Sequence, residues 1–256
     1  GLRKQEEVGN NMGWAESILA VGFPTASSMA SSFDRDLVRE VGNALGEECQ
    51  AEDVAVLLGP GINMKRSPLG GRNFEYYSED PYVAGEIGAA FVNGVQEKNV
   101  GTSLKHFAAN SQELSRFTSD SVLDERTLRE LYLTGFEIAV KEGKPATVMC
   151  SYNKLNGIHA SDHKELLTDI LRIQWGFDGM VVTDWGAMND RIKGFRAGCD
   201  LNMPGGSGFL EKECALAVKN GTLSETDIDN SVHRILKQVS RAVKILKIPV
   251  SCDYDA

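Results

Sequence analysis

Three short apolar runs end in residues able to do chemistry. Met180 to Asp184 (MVVTD) places a carboxylate at the mouth of a buried run, and Trp185 and Gly186 follow it. A carboxylate beside a large aromatic face suits sugar chemistry, because an indole stacks on a pyranose while the carboxylate attacks or stabilises an oxocarbenium-like centre. The same Asp could instead cap the next helix, and both roles stay open at this point. Thr102 to Phe107 (TSLKHF) carries Lys105 and His106 side by side, two donors that can grip hydroxyls. Strand alternation sends their side chains to opposite faces unless the strand bends at its end. The alternative is a carboxylate-paired buried Lys105 and a hydrogen-bonded core His106. Thr147 to Tyr152 (TVMCSY) ends in Tyr152, followed by Asn153.

Ser67 to Pro81 (SPLGGRNFEYYSEDP) is a loop of turn formers carrying two Tyr, one Arg and several acids, and Arg72 is its ligand-binding candidate. Other stretches are set aside. Gly59 to Lys65 superficially looks like a phosphate loop, but Pro60 has no amide donor and no Gly-Lys-Ser/Thr follows, so a turn is expected. His159 and His163 are spaced like a helical metal pair but sit in loop context, and surface histidines are expected. Asn220-Gly221-Thr222 is a formal sequon read as chance, and Pro204 to Gly208 as a flexible loop.

These residues need elements to hold them. Val54 to Leu58, Thr102 to Phe107, Thr147 to Tyr152, Met180 to Asp184 and Cys199 to Met203 read as buried strands. Segments with helical spacing lie between them: Asp34 to Glu48 with Asp34 as N-cap, Pro81 to Lys98 with proline in its first turn, Glu125 to Lys141, and Lys164 to Ile173. Ser224 to Lys247 is a long amphipathic helix, N-capped by Ser224 and expected to pack outside the sheet. Alternating strand and helix means an α/β fold with parallel strands. The polar residues sit at the ends of several separate strands, which favours a (β/α)8 barrel of the TIM type over an open sheet with one switch point. Fewer runs than eight strands are countable, so the barrel is expected to be incomplete, notably at its first strand.

Composition bounds the rest. The chain has 256 residues, 27 Lys plus Arg and 36 Asp plus Glu, giving a formal net charge of −9. Such a charge, without a basic and aromatic cluster, disfavours nucleic acid and anionic membranes as partners. No run approaches about 18 apolar residues, so no membrane span is expected. The five cysteines, Cys49, Cys150, Cys199, Cys214 and Cys252, are widely spaced and read as reduced, mostly buried thiols of a cytoplasmic protein.

In order, Gly71-Arg72-Asn73-Phe74-Glu75-Tyr76, Lys105-His106-Phe107, Met149-Cys150-Ser151-Tyr152-Asn153, Trp175-Gly176-Phe177-Asp178-Gly179 and Val181-Val182-Thr183-Asp184-Trp185-Gly186-Ala187 resemble the N-terminal catalytic domain of glycoside hydrolase family 3, β-glucosidase group. The resemblance implies retaining, exo-acting hydrolysis of terminal β-D-glucosyl residues in a barrel pocket. It matches Asp184 to the nucleophile, and Arg72, Lys105 and His106 to residues holding sugar hydroxyls. Tyr152 matches a neighbour of the nucleophile, while Met149 and Trp185 match apolar walls. A β-xylosidase, an exo-glucanase and an inactive carbohydrate-binding fragment are the alternatives.

Two departures qualify it. The family's sugar-binding Asp, in an Asp-Gly-Pro context, has no counterpart, because Gly1-Leu2-Arg3 looks like the residues just after that motif. The β-glucosidase group takes its acid/base Glu from a following α/β sandwich domain. The reading is therefore a barrel domain at 1–248, a linker beginning at 249–256, and truncation at both ends. Phe107-Ala108-Ala109-Asn110 lacks the Gly-His-Gly-Asp loop of the N-acetylglucosaminidase branch. The implied partners are a β-linked glucoside or cello-oligosaccharide and the remainder of the same enzyme, with homo-oligomerisation left open. The chemistry requires no metal or organic cofactor.

Overall fold

Asp34 begins the first long helix as its sequence requires. Its Oδ1 accepts the amides of Asp36 and Leu37, both at 3.0 Å, and α2 then runs Arg35–Ala51. Asp80 does the same for α3, Pro81–Glu97, accepting from Tyr82 at 2.7 Å and Val83 at 3.1 Å, with Pro81 needing no partner for its missing N–H. The two helices lie against each other through glycines. A Cβ on Gly94 would stand 2.2 Å from the Arg39 carbonyl oxygen, and one on Gly42 2.7 Å from that of Phe91. Only hydrogen at these positions lets the backbones approach so closely.

The computed structural model describes residues 1–5, 16–205 and 208–245. In chain order its elements are α1 (Ala26–Ala30), α2, β1 (Val56–Leu57), α3, β2 (Gly101–Phe107), β3 (Asp120–Ser121), α4 (Glu125–Thr127), α5 (Thr134–Ile138), β4 (Thr147–Cys150), β5 (Lys154–Leu155), β6 (Ile158–His159), β7 (Met180–Thr183), α6 (Arg191–Ala197), α7 (Phe209–Lys219) and α8 (Glu225–Ile245). Wider helical turns at Leu128–Tyr132 and Ala139–Gly143 join α4 and α5 into one helical stretch, and a wide helix covers Glu165–Gln174.

Four strands form one parallel sheet in the order β1-β2-β4-β7, each next to its successor, with helices between them. Three short strands, β3, β5 and β6, make a separate flap. The order runs without reversal, and the crossover helices touch their neighbours. Among the described residues, however, the sheet is open and the eight-stranded closure is not seen. The expected strand at Cys199 to Met203 shrinks to one bridge, Val182 to Leu201. The cause is Asp200, whose carboxylate takes the Val181 amide at 2.8 Å in place of a ladder carbonyl.

The two faces of the sheet differ. Leu104, Phe107, Val148, Cys150 and Val181 join the main core under the helices, with Phe136, Leu166, Leu167, Ile170 and Trp175. Each fully buried Leu or Ile there contributes on the order of 1.5–3 kcal/mol by leaving water. On the opposite face Met149, Met180 and Val182 cluster with Leu201, Met203 and Ile235 of α8. Rather than flanking the sheet from outside, α8 crosses the N-terminal ends of the strands, where Arg234 meets Asp200 at 2.9 Å and Lys237 meets Asp178 at 2.6 Å. Ser224 caps it by accepting the Thr226 amide at 3.1 Å.

His163 is not a surface residue. It is 8% exposed, and its Nδ1 accepts the Leu166 amide at 3.3 Å, so it caps the helix at Glu165–Gln174 and burial lowers its pKa. Gly59 to Ile62 runs beside β2 instead of forming an isolated turn, with Ser103 and Lys105 donating to the Gly59 and Pro60 carbonyls. Cys49, Cys150, Cys199 and Cys214 are buried. Cys252, the 249–256 segment, the last residues of the helix read to Lys247, and Gly206 and Ser207 of the glycine loop lie outside the described residues. No described helix is long and apolar enough to cross a membrane.

Candidate active site

The C-terminal ends of β2 and β7 bring the polar candidates together. β2 pairs Ser103 with Thr147 and Leu104 with Val148, then slips to Phe107 with Cys150. Three residues thus advance on one strand against two on the other, a bulge that breaks strict alternation. Lys105 and His106 consequently reach the same group of acids, as the bent-end reading required. Lys105 Nζ lies 3.5 Å from Glu75 Oε2, and His106 Nε2 lies 3.4 Å from Asp184 Oδ2.

Asp184 follows β7, its amide bonded to the Cys150 carbonyl at 3.0 Å. Its Oδ1 accepts the Trp185 amide at 2.7 Å. That tie orients the carboxylate. Oδ2 is buried without a hydrogen-bond partner among the described residues. Arg72 Nη1 stands 3.7 Å from it, too far for a hydrogen bond but within the reach of an ion pair.

The Ser67 to Pro81 loop delivers Arg72 because it is pinned at both sides. Asn73 Nδ2 donates to the Ser67 carbonyl at 2.7 Å, and Tyr76 and Tyr77 are buried beneath it. Arg72 Nε bonds Glu75 Oε1, so Glu75 bridges the two cations Arg72 and Lys105. Burial opposes the Arg72 charge, but the Glu75 hydrogen bond and the Glu75 and Asp184 charges outweigh it and raise the pKa. Lys105 is lowered by burial, with Glu75 and Asp184 acting against that. His106 is pushed well below its usual value by burial and then by Arg72, Lys105 and Arg116, so the ring is neutral at neutral pH.

Tyr152 donates to the Trp185 carbonyl at 2.9 Å, and burial together with the Asp184 charge raises its pKa to about 12. Trp185 is 42% exposed beside the carboxylate. The structure thus gathers Arg72, Lys105, His106, Tyr152, Asp184 and Trp185. Met149 clusters with Met180 and Val182, and in the ladder it pairs with Val182, two positions before Asp184.

Several residues of the site were not singled out from the sequence. Glu75 had a signal, since a buried Lys and an Arg three residues upstream both demand a carboxylate. Tyr76 bonds His106 Nδ1 at 2.9 Å. Asn63, inside the stretch set aside as a turn, donates to the His106 carbonyl at 2.8 Å and accepts its amide at 2.7 Å. Arg116 pairs with Glu113 at 2.9 Å and lies 4.3 Å over the Tyr152 ring. A cleft of about 770 Å³ between the 66–71 and 109–121 loops adjoins this cluster at Glu113 but is not lined by Asp184.

The site is thus a carboxylate oriented through one oxygen, with cations and an exposed indole around the other. The family model described as "Glycosyl hydrolase family 3 N terminal domain" matches residues 9–238. The chain belongs to glycosyl hydrolase family 3. Within the family, the thermostable β-glucosidase B of Acetivibrio thermocellus is 53% identical over 256 residues, covering 100% of this chain and 34% of that protein. An exo-α-(1→6)-L-arabinopyranosidase of Bifidobacterium longum is 46% identical over 91% of this chain and 30% of its own length. Among solved structures, β-glucosidase 3B of Thermotoga neapolitana with α-D-glucose superposes with a TM-score of 0.91 at 43% identity, over 100% of this chain and 36% of that one. The chain therefore spans about a third of the length of these relatives.

Proposed function

We propose that this chain carries the nucleophile half of a retaining glycoside hydrolase acting on terminal non-reducing β-D-glucosyl residues. The observation that carries the reading is Asp184: Oδ1 is fixed by the Trp185 amide, while the buried Oδ2 has no hydrogen-bond partner among the described residues and faces Arg72 and His106. In this role Oδ2 attacks the anomeric carbon, the bond to the leaving-group oxygen breaks, and a glycosyl ester forms on Asp184. Water then cleaves the ester and restores the carboxylate. Arg72, Lys105 and His106 hold sugar hydroxyls, and their grip strengthens as the ring flattens toward the transition state. Trp185 offers a stacking face. The general acid/base is a Glu from a further α/β sandwich domain of the longer protein, and the four parallel strands are an arc of its (β/α)8 barrel.

The test is intact mass after incubation with a 2-deoxy-2-fluoro-glucoside bearing a leaving group that needs no protonation, followed by peptide mapping. The expected result is one fluoroglucosyl adduct on Asp184, lost in Asp184→Asn. An adduct on another residue overturns the assignment. No adduct on the folded chain overturns the claim that these residues alone assemble the glycosyl site. A pentopyranosyl donor is the second reading, supported by the arabinopyranosidase relative, and the corresponding fluorosugar in a parallel incubation separates the two.

A further inference from the structure

Behind Asp184 a buried line of hydrogen-bonding groups runs from Asn110 through Tyr76 to His106. The Tyr76 hydroxyl lies 2.9 Å from His106 Nδ1, and the two rings meet edge on with centroids 5.9 Å apart. Both residues are buried, at 4% and 1% exposure. On the far side of the imidazole, Nε2 lies 3.4 Å from Asp184 Oδ2. Asn63 grips the His106 backbone through both its amide and its carbonyl, which fixes where the ring starts.

A neutral imidazole has one N–H and one lone pair, and its neighbours decide which nitrogen carries which. An ionised carboxylate only accepts, so the nitrogen facing Asp184 is the one that gains by carrying the proton. Nδ1 then holds the lone pair, and the group opposite it must donate. Tyr76 is able to, because the amide of Asn110 hydrogen-bonds its hydroxyl and burial keeps the phenol protonated. The ring itself is neutral, since burial and the Arg72, Lys105 and Arg116 charges disfavour the imidazolium.

We propose that Tyr76 is a positioning residue that locks His106 in the tautomer with its proton on Nε2, so that the imidazole turns its N–H toward the Asp184 charge and offers a donor to a sugar hydroxyl seated beside it. Its bearing on catalysis rests on the reading of Asp184 as nucleophile. Without the Tyr76 hydroxyl, the Nδ1 lone pair is buried with no donor, and the balance between the two tautomers shifts.

The experiment is a long-range proton–nitrogen correlation spectrum of the chain labelled with nitrogen-15 in histidine, at neutral pH. Four histidines contribute, and His106→Gln identifies the set belonging to His106 by its loss. The expected spectrum shows an unprotonated, hydrogen-bonded Nδ1 and a protonated Nε2, with Tyr76→Phe moving the Nδ1 signal toward that of a free lone pair. In the same variant the rate of fluoroglucosyl labelling falls about tenfold, the effect of one lost hydrogen bond at the site. A proton on Nδ1 in the unsubstituted chain overturns the proposal, as does a Tyr76→Phe spectrum identical to it. The unsubstituted spectrum decides the matter even if the variant does not fold. A protonated Nε2 with no adduct on Asp184 defeats the nucleophile reading alone. An adduct with a protonated Nδ1 defeats the Tyr76 inference alone.

Discussion

Asp200→Asn removes one charge and almost no volume, at a residue with 0% exposure. Its Oδ2 accepts from the Val181 amide and Arg172 Nη2, both at 2.8 Å, and its Oδ1 from Ser231 Oγ at 3.0 Å and Arg234 Nη1 at 2.9 Å. All four partners are donors. Asparagine turns one acceptor oxygen into an amide that donates, so two buried donors lose their acceptor and a third donor faces them. Arg172, whose side chain is 9% exposed, also loses its counter-charge. Breaking one partner of a buried ion pair costs about 3–5 kcal/mol. Arg172 keeps the Gly179 and Gly198 carbonyls, at 2.8 and 3.0 Å, which argues for the lower end, about 3 kcal/mol. Urea unfolding followed by circular dichroism should show that loss as a lower midpoint at unchanged slope. Arg172→Met with Asp200→Asn should cost less than the two separate losses added together by more than about 1 kcal/mol. A loss under about 1 kcal/mol in Asp200→Asn alone would refute the view that this cluster ties α8 to the sheet.

Gly94→Ala should destabilise the chain by about 1–3 kcal/mol in the same assay, because its methyl meets the Arg39 carbonyl; an unchanged midpoint would show that α2 and α3 can part freely. Stability should also fall on acidification. His106 titrates below its usual 6.5 in the fold, so below about pH 6.5 the unfolded chain binds a proton that the folded chain does not. The stability present above that pH is therefore lost as pH drops, with a slope approaching about 1.4 kcal/mol per unit from this residue, and His106→Gln should flatten the profile. Trp185→Ala should weaken binding of a glucoside ligand about 2- to 10-fold by calorimetry, the worth of one stacking face, while leaving the urea midpoint nearly unchanged.

Much of the frame was legible because it obeys local rules. Asp34 and Ser224 cap where capping chemistry says they should, and the runs ending in Phe107, Cys150 and Thr183 are strands because both faces of each are buried. The Cys199 to Met203 strand failed because its pairing was taken over by a side chain, and the acceptor that did so is held by arginines 28 and 34 residues away. His163 was misread for a similar reason, since capping through an imidazole leaves no mark in hydrophobic periodicity. Within the site, residues at strand ends stood out as polar groups closing apolar runs. Their supports did not: Asn63 and Tyr76 touch His106 from 43 and 30 residues away, and no spacing rule reaches that far.

The anchoring of α8 also sets an order on how the chain comes into being. Residues 180–184 leave the ribosome well before residue 234, yet the carboxylate that replaces a missing ladder bond beside Val181 has only half its donors until Ser231 and Arg234 arrive. During synthesis the Asp200 cluster beside the strand leading to Asp184 is therefore completed only once the helix carrying Ser231 and Arg234 has emerged. Released from the ribosome ahead of Ser231, the chain would carry all of its site residues but lack the lock that sets their strand in place.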